Sequence, residues 1–228
     1  MAAKHHILLL GGTGICGLLF AQAALHDGHT LTLYARTPSK VPAAMAANPN
    51  LHIIKGDLGD AEGLKAAAAC GADTFVSVAG PTLGKRGGTP ITNALKILYP
   101  LLLANGTTKR VMVLSTASYS APQDTASLKW FVAIQCYIKV IGGDTYEEIS
   151  GFTKETVALG SAIEWTVFRV PLLKGEELGA GGEVNTAWVG DKRGKDGLHL
   201  DRGRLVRWVL KEMDEKKWVG LCPLLSNA

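Results

Sequence analysis

The sequence predicts an α/β domain: a doubly wound parallel sheet of about seven strands with helices on both faces. Three observations carry that expectation. Short apolar runs of four to six residues alternate with longer helix-like segments along the whole chain, which is the pattern of βαβ units. The first run ends directly in a glycine-rich turn that opens a helix. The composition, 47% hydrophobic with only 19% charged in 228 residues, supplies a sizeable core and excludes disorder and a coiled coil.

The elements follow in order. His5–Leu10 is a short run closed by Gly11-Gly12 and reads as a buried strand. Residues 15–26 read as a helix with Leu18, Leu19, Ala21, Ala23 and Leu25 as its apolar positions. Residues 30–35 form a second strand closed by Arg36-Thr37-Pro38, and residues 51–54 a third followed by Gly56-Asp57. Residues 61–69 are helical, and 74–78 form a fourth strand closed by Gly80-Pro81. Residues 89–105 read as a helix, with Pro90 inside its start and Gly106 past its end. Residues 110–115 are the fifth strand, 150–159 a helix, 164–170 the sixth strand, 205–213 a helix and 218–222 the seventh strand. One domain, 1–228, accounts for all of this. Two stretches break the rhythm, 121–149 and 174–200. Both follow late strands, on the side where open α/β sheets bind ligands, and they read as substrate-side insertions. The first contains a very apolar run, Trp130 to Ile141, which is equally readable as a core or dimer helix.

The net charge of +4 is too mild, and its basic residues too scattered, for a nucleic-acid binder. Lys85–Arg86, Lys192–Arg193–Lys195 and Arg202–Arg204–Arg207 are the local basic knots, readable as solvated faces or as attraction for an anionic ligand. Four cysteines, Cys16, Cys70, Cys136 and Cys222, are far apart and suggest neither a metal site nor a disulfide framework. The first 24 residues mimic a secretory signal, but Gly11, Gly12, Gly14 and Gly17 interrupt the apolar stretch. No run reaches the ~18 apolar residues that would cross a bilayer. The expectation is therefore a cytoplasmic protein, monomer or homodimer, with no membrane or nucleic-acid partner.

Gly11-Gly12-Thr13-Gly14-Ile15-Cys16-Gly17 contains Gly-x-x-Gly-x-x-Gly between the first strand and the first helix. A tight turn must leave the strand, a backbone without Cβ must approach a pyrophosphate, and the helix must start close to the sheet. Its amino end then offers free N–H groups and a positive dipole end to phosphate. This context makes the loop a dinucleotide-binding (Rossmann) turn, and the missing Gly-Lys-Ser/Thr excludes a Walker loop. An NAD site places an acid at the end of the second strand, about 20 residues on. Here that position carries Arg36, with Thr37 and Lys40 behind it, which favours the 2′-phosphate of NADP(H).

These residues, together with Lys55-Gly56-Asp57-Leu58, residues 76–80, Val113-Leu114-Ser115-Thr116 and residues 165–171, resemble the atypical, NmrA-like branch of the short-chain dehydrogenase/reductase superfamily. The size and plan also resemble its small flavin and biliverdin reductases. The resemblance implies that Asp57 and Leu58 flank the adenine and that Ala79, Gly80 and Pro81 lie along the ribose. It also implies that Ser115, Val170 and Pro171 lie near the nicotinamide.

One departure stands out. The superfamily's catalytic pair is Tyr-x-x-x-Lys, and none of the five tyrosines has a lysine four residues on. Counting back from Trp165 puts the expected pair near Glu147 and Gly151. Ser115, Thr116 and Tyr137 remain as candidate proton donors, beside solvent. The histidines read as structural, with His199 alone retained as a late, substrate-side candidate. Trp130, Phe131, Ile134, Tyr137 and Ile138 suggest a lipophilic lining. The leading expectation is an NADPH-dependent oxidoreductase of a small apolar substrate. The alternatives are an NADP(H)-binding redox sensor and a non-redox isomerase or cyclase that keeps the nucleotide as scaffold.

Overall fold

The computed structural model describes residues 3–81, 87–139, 142–179 and 181–228, and of these the side chains of residues 136–138 are not described. The strands are β1 (His6–Leu10), β2 (Thr30–Ala35), β3 (Leu51–Lys55), β4 (Thr74–Ser77), β5 (Arg110–Ser115), β6 (Glu164–Arg169), β7 (Leu172–Lys174), β8 (Val184–Ala187), β9 (His199–Asp201) and β10 (Leu224–Asn227). The helices are α1 (Ile15–His26), α2 (Ala43–Ala46), α3 (Ala61–Ala68), α4 (Pro90–Asn105), α5 (Leu128–Val132), α6 (Thr145–Val157) and α7 (Arg202–Glu215). A π-helical turn, Ala133–Ile138, continues α5.

Eight strands form one sheet in the order β3-β2-β1-β4-β5-β6-β10-β8, while β7 and β9 pair separately. All pairings are parallel except β10 with β8. The order reverses at β1, between β2 and β4, and opens a crevice at the carboxyl ends of those strands. Side-chain alternation along β1 sorts the core into two layers. Ile7 and Leu9 join Leu19 and Phe20 of α1 and Leu205, Val206 and Val209 of α7. Leu8 and Leu10 join Leu64 of α3, Leu95 and Leu98 of α4 and Phe152 of α6. Helices therefore cover both faces, as doubly wound topology requires.

Two expectations need correction. The run 218–222 is not a strand. Gly220 adopts φ 72°, Leu221 alone bridges Thr166, and Pro223 has no N–H to donate. The last strand begins at Leu224 and recruits β8 on its far side, which brings the expected sheet of about seven strands to eight. α6 starts five residues before Ser150. Glu147 and Glu148 favour a helix amino end, and the apolar signal becomes visible only from Ile149.

The two insertions pack on each other. Thr125 N–H donates to the Val189 carbonyl at 2.9 Å. Trp130 Nε1 donates to the Asp196 carbonyl at 3.1 Å, and Lys129 Nζ lies 2.5 Å from the Asp196 carboxylate. The core of this unit is Trp130 with Ala117, Val189 and Leu224.

Candidate nucleotide-binding site

The four glycines of the first turn divide by cause. Gly11 has φ +82°, and a Cβ there would lie 2.5 Å from the backbone N of Ala79. A Cβ on Gly12 would meet Leu33 Cδ1 at 2.5 Å, and one on Gly17 would meet the Gly11 carbonyl oxygen at 2.3 Å. These three are required by packing of strand, loop and helix. Gly14 is different. Its φ is −83°, and its Cβ would meet only the Gly11 oxygen at 3.6 Å, an ordinary contact. Nothing in the protein itself excludes a side chain at Gly14; the loop leaves open space there. The α1 amino end behind it carries no side-chain cap and no acid in its first turn. Its orphan N–H groups fit a phosphate.

Beside the loop lies a cleft of about 400 Å³. It is lined by Gly11, Thr13, Tyr34, Arg36, Thr37, Lys40, Asp57, Leu58 and Ala79, among others. Eight predicted binding residues, Gly11, Thr13, Arg36, Thr37, Lys40, Asp57, Leu58 and Ala79, therefore converge on one surface. Arg36 and Lys40 are exposed at its rim. Asp57 Oδ1 accepts from Gly59 N–H at 2.8 Å, which fixes the turn after β3. Tyr34, which sequence reasoning missed, sets that turn's height. Its hydroxyl donates to the Asp57 carbonyl at 2.7 Å. A Cβ on Gly56 would lie 2.3 Å from the same hydroxyl oxygen. Burial, with the charges of Asp60 and Asp57 adding, pushes the Tyr34 pKa up to about 12, so it stays a donor. The Tyr34/Gly56 pair was the available signal. A wider groove of about 850 Å³ lies at the other end of the sheet, between α1 and α7. It holds Arg207 of one basic knot but none of the residues expected to bind the nucleotide, and open α/β sheets bind at the carboxyl ends of their strands.

The β5–β6 end is closed more tightly than the sequence suggests. Ser115 is fully buried, and its hydroxyl lies 2.7 Å from Thr153 Oγ1, which donates to the Ile149 carbonyl. Thr116 is half-buried; its hydroxyl donates to Ser118 Oγ at 3.0 Å. Val170 is buried and donates its N–H to the Ser115 carbonyl, with Pro171 half-buried after it. Gly80 and Pro81 follow β4; no side chain stands within 4 Å of a Cβ built on Gly80. Ile15 is exposed at the start of α1. The Tyr137 and Ile138 side chains lie outside the described residues, as do Lys85 and Arg86. Phe131 points to solvent rather than into a pocket, while Trp130 is buried. His199 is exposed on β9.

The position expected for the superfamily's lysine is used structurally. A Cβ on Gly151 would lie 2.7 Å from Thr92 Oγ1, so α6 approaches α4 where a lysine would project. The neighbouring Glu148 is buried and accepts from the α4 amino end, Ile91 N–H at 2.6 Å and Thr92 N–H at 3.1 Å. A second interior charge went unread. Arg169, fully buried, forms a bidentate pair with Asp124 at 2.6 and 2.7 Å and donates to the Cys222 and Tyr119 carbonyls. Asp124 also accepts from Val189 N–H and Ala121 N–H. This staple joins β6 to both insertions. Among the described residues no cluster of three or more His, Cys, Asp or Glu could hold a metal.

The family described as NAD(P)H-binding matches residues 11–215, from the glycine turn to the end of α7. The chain belongs to this NAD(P)H-binding family. Solved structures with the same fold include a short-chain dehydrogenase/reductase from Veillonella parvula DSM 2008 in complex with NADP. It is 15% identical, with a TM-score of 0.75, over 99% of this chain and 95% of that one. An oxidoreductase from Lactococcus lactis is 15% identical with a TM-score of 0.72, over 98% and 91%. A Rossmann-fold NAD(P)-binding family protein from Shigella flexneri is 16% identical with a TM-score of 0.68, over 99% and 94%. Among curated proteins, a 3 beta-hydroxysteroid dehydrogenase/Delta 5→4-isomerase of Mycobacterium tuberculosis is 33% identical over 87 residues. That match covers 38% of this chain and 22% of that protein, so it spans about a fifth of its relative. As an NAD(P)H-binding chain, the protein has a glycine cradle, an uncapped α1 and a cationic cleft that fit the nucleotide's pyrophosphate and adenosine ends.

Proposed function

We propose that the protein is an NADP(H)-dependent oxidoreductase of a small lipophilic organic substrate. The observation that carries this is the pair Arg36 and Lys40, which line the cleft beside the open Gly14 cradle where an NAD site has a carboxylate. Arg36, Thr37 and Lys40 would hold the 2′-phosphate, Gly14 and the α1 amino end the pyrophosphate, and Leu58, Asp57 and Ala79 the adenosine. Gly80, Pro81, Val170 and Pro171 would border the ribose and nicotinamide. The bound nucleotide supplies hydride chemistry. The chain's own residues orient it and limit water. Buried Val170 closes the floor, and the Arg169–Asp124 staple holds the two insertions over the carboxyl ends of β5 and β6.

The proton is the weak point of the machinery. Ser115 is withdrawn into a bond with Thr153, leaving the half-buried Thr116 hydroxyl, Tyr137 or solvent. The relative named as a hydroxysteroid dehydrogenase supports placing steroid ketones beside quinones, flavins and enones in a substrate panel. The test is NADPH oxidation across that panel, with NADPH and NADH affinities measured by calorimetry. Equal affinities would overturn the cofactor assignment. Tight NADPH binding with no turnover would favour the second reading, an NADP(H)-responsive regulatory module, which the buried Ser115 and the Gly151 contact with α4 support. Cys16, Cys70 and Cys222 are free thiols, which suits a reducing, cytoplasmic setting.

A further inference from the structure

The groove between α1 and α7, about 850 Å³, shares no lining residue with the nucleotide cleft. Its walls come from the later turns of both helices and from Leu178 of the second insertion. Half-buried Leu178 and Leu210, with buried Ala23, give it an apolar wall. Grooves of this size and lining hold small organic molecules when a few polar groups fix their orientation. One such group is left over by the fold. His29 is only 4% exposed and lines the groove. Its Nδ1 accepts the backbone N–H of His5 at 3.1 Å, and the two imidazoles stack with ring centres 5.7 Å apart. That bond puts the proton of the neutral ring on Nε2. Nε2 has no hydrogen-bond partner among the described residues, although a buried N–H ordinarily has one. With the Nδ1 edge turned to the His5 main chain, the Nε2 edge is the one that meets the groove. Burial and the charges of His5 and Lys4 lower the His29 pKa against the pull of Asp27 and Asp214, so at neutral pH the ring is an uncharged donor.

The charges of the wall do not cancel evenly. Each acid has a side-chain partner. Asp214 meets His5 at 2.9 Å, Asp27 meets His26 at 3.2 Å, and Glu215 meets Lys211 at 3.6 Å and Lys217 at 3.2 Å. Lys4 and Arg207, by contrast, donate only to main-chain carbonyls, Lys4 to that of Asp27 and Arg207 to those of Leu178 and Gly179. Neither has a carboxylate partner among the described residues, so two positive charges stand over an apolar wall and a buried donor.

We infer that this groove is a second binding site, for an organic monocarboxylate with an apolar body. The carboxylate accepts from His29 Nε2–H and is drawn by Lys4 and Arg207, while the body lies on Leu178 and Leu210. The polar groups select this class. An amine would find every acid of the wall already taken and a donor where it needs an acceptor. A polyphosphate would outnumber the two cations and leave the apolar wall unused. The inference goes beyond the redox reading and does not rest on it, since the two sites have no residue in common.

The test is titration of the full chain with octanoate below its micellar range, followed by proton–nitrogen NMR of the histidine rings and by calorimetry. Octanoate should bind, shift the His29 Nε2 signal and leave NADPH affinity unchanged. Octylamine lacks the negative charge and acetate lacks the apolar body, so neither should bind at the same concentrations. Arg207→Gln, at an exposed residue, should weaken octanoate binding roughly tenfold through loss of a charge-assisted contact. His29→Phe keeps a stacked ring without its N–H and should weaken it at least as much. If His29→Phe fails to fold, Arg207→Gln decides alone. No binding of octanoate, equal binding of octylamine or acetate, competition with NADPH, or undiminished binding in the folded variants overturns the proposal. Loss of NADPH binding by the wild type would count against the nucleotide reading alone.

Discussion

Replacing Gly14 by alanine should separate binding from folding. Gly14 sits at φ −83° and ψ 168°, a conformation any L-residue adopts, and its new Cβ would touch only the Gly11 oxygen at 3.6 Å. A glycine-to-alanine change at such a position stabilises by about 0.4–1 kcal/mol, through the unfolded chain. For a domain of this size that raises the melting temperature by roughly 1–4 °C. The methyl group would nevertheless occupy the space in which the backbone meets pyrophosphate, so NADPH affinity should fall at least about tenfold, or ~1.4 kcal/mol. Gly17→Ala is the contrasting control, because its Cβ would stand 2.3 Å from the Gly11 oxygen and something in the loop must shift. That variant should lose both stability and binding. Thermal unfolding and calorimetric titration on the same samples decide the matter. A folded Gly14→Ala protein with wild-type NADPH affinity would refute the assignment of the open cradle to the pyrophosphate.

Other consequences are equally direct. Arg36→Ala should remove most of the preference for NADPH over NADH, about 1.5–3 kcal/mol for a charge-assisted contact and toward the lower end because Arg36 is exposed; Lys40→Ala should lower what remains, both read by calorimetry. Asp124→Ala leaves the buried Arg169 unpaired and should cost about 3–5 kcal/mol, visible as a fall of roughly 6–20 °C in Tm. His5 bridges Asp73 and Asp214 at 2.9 Å each; burial pulls its pKa down, the bonds to Asp214 and Asp73 outweigh that, and the net value is raised. Its contribution is therefore complete below the unfolded pKa of about 6.5 and fades as pH rises through the folded value. His6 and His29, lowered by burial, act in the opposite sense, so the readout is the Tm difference between wild type and His5→Gln, which should shrink as pH rises. Once a substrate is found, Tyr137→Phe and Tyr146→Phe should each lose less than about tenfold in rate, against roughly 10²–10⁴-fold for a true general acid. A larger loss would identify a relocated donor.

The sequence made the front half of the fold legible because its signals are local. The run to Leu10, the glycine turn and the helix from Ile15 to His26 follow one another without interruption, and the structure places α1 on those bounds. β2, closed by Arg36-Thr37-Pro38, is equally plain. The back half was harder for a physical reason. β7, β8 and β9 are three or four residues long, and pairing rather than periodicity creates them. The last strand was displaced because Trp218 and Val219 have strand propensity, yet the chain is still turning there, and Pro223 delays the ladder until Leu224.

At the site, the distinction that matters is between glycines the fold needs and a glycine only a ligand would need. The spacing Gly-x-x-Gly-x-x-Gly shows three equivalent letters; the geometry shows that at two of them, Gly11 and Gly17, an added Cβ would run into backbone within 3 Å, and at Gly14 it would not. The same contrast applies to hydroxyls. Ser115 and Thr116 are adjacent in sequence at the end of β5, but strand alternation sends Ser115 inward to Thr153 and leaves Thr116 beside the open end of the sheet. Sequence position alone could not rank them, because the partner, Thr153, comes from a helix 38 residues away. Gly151 follows the same logic: the place where a lysine would complete a proton relay is spent on close approach to Thr92, so α6 braces α4 and its capping Glu148. The Gly151 contact thus makes α6 part of the scaffold around α4.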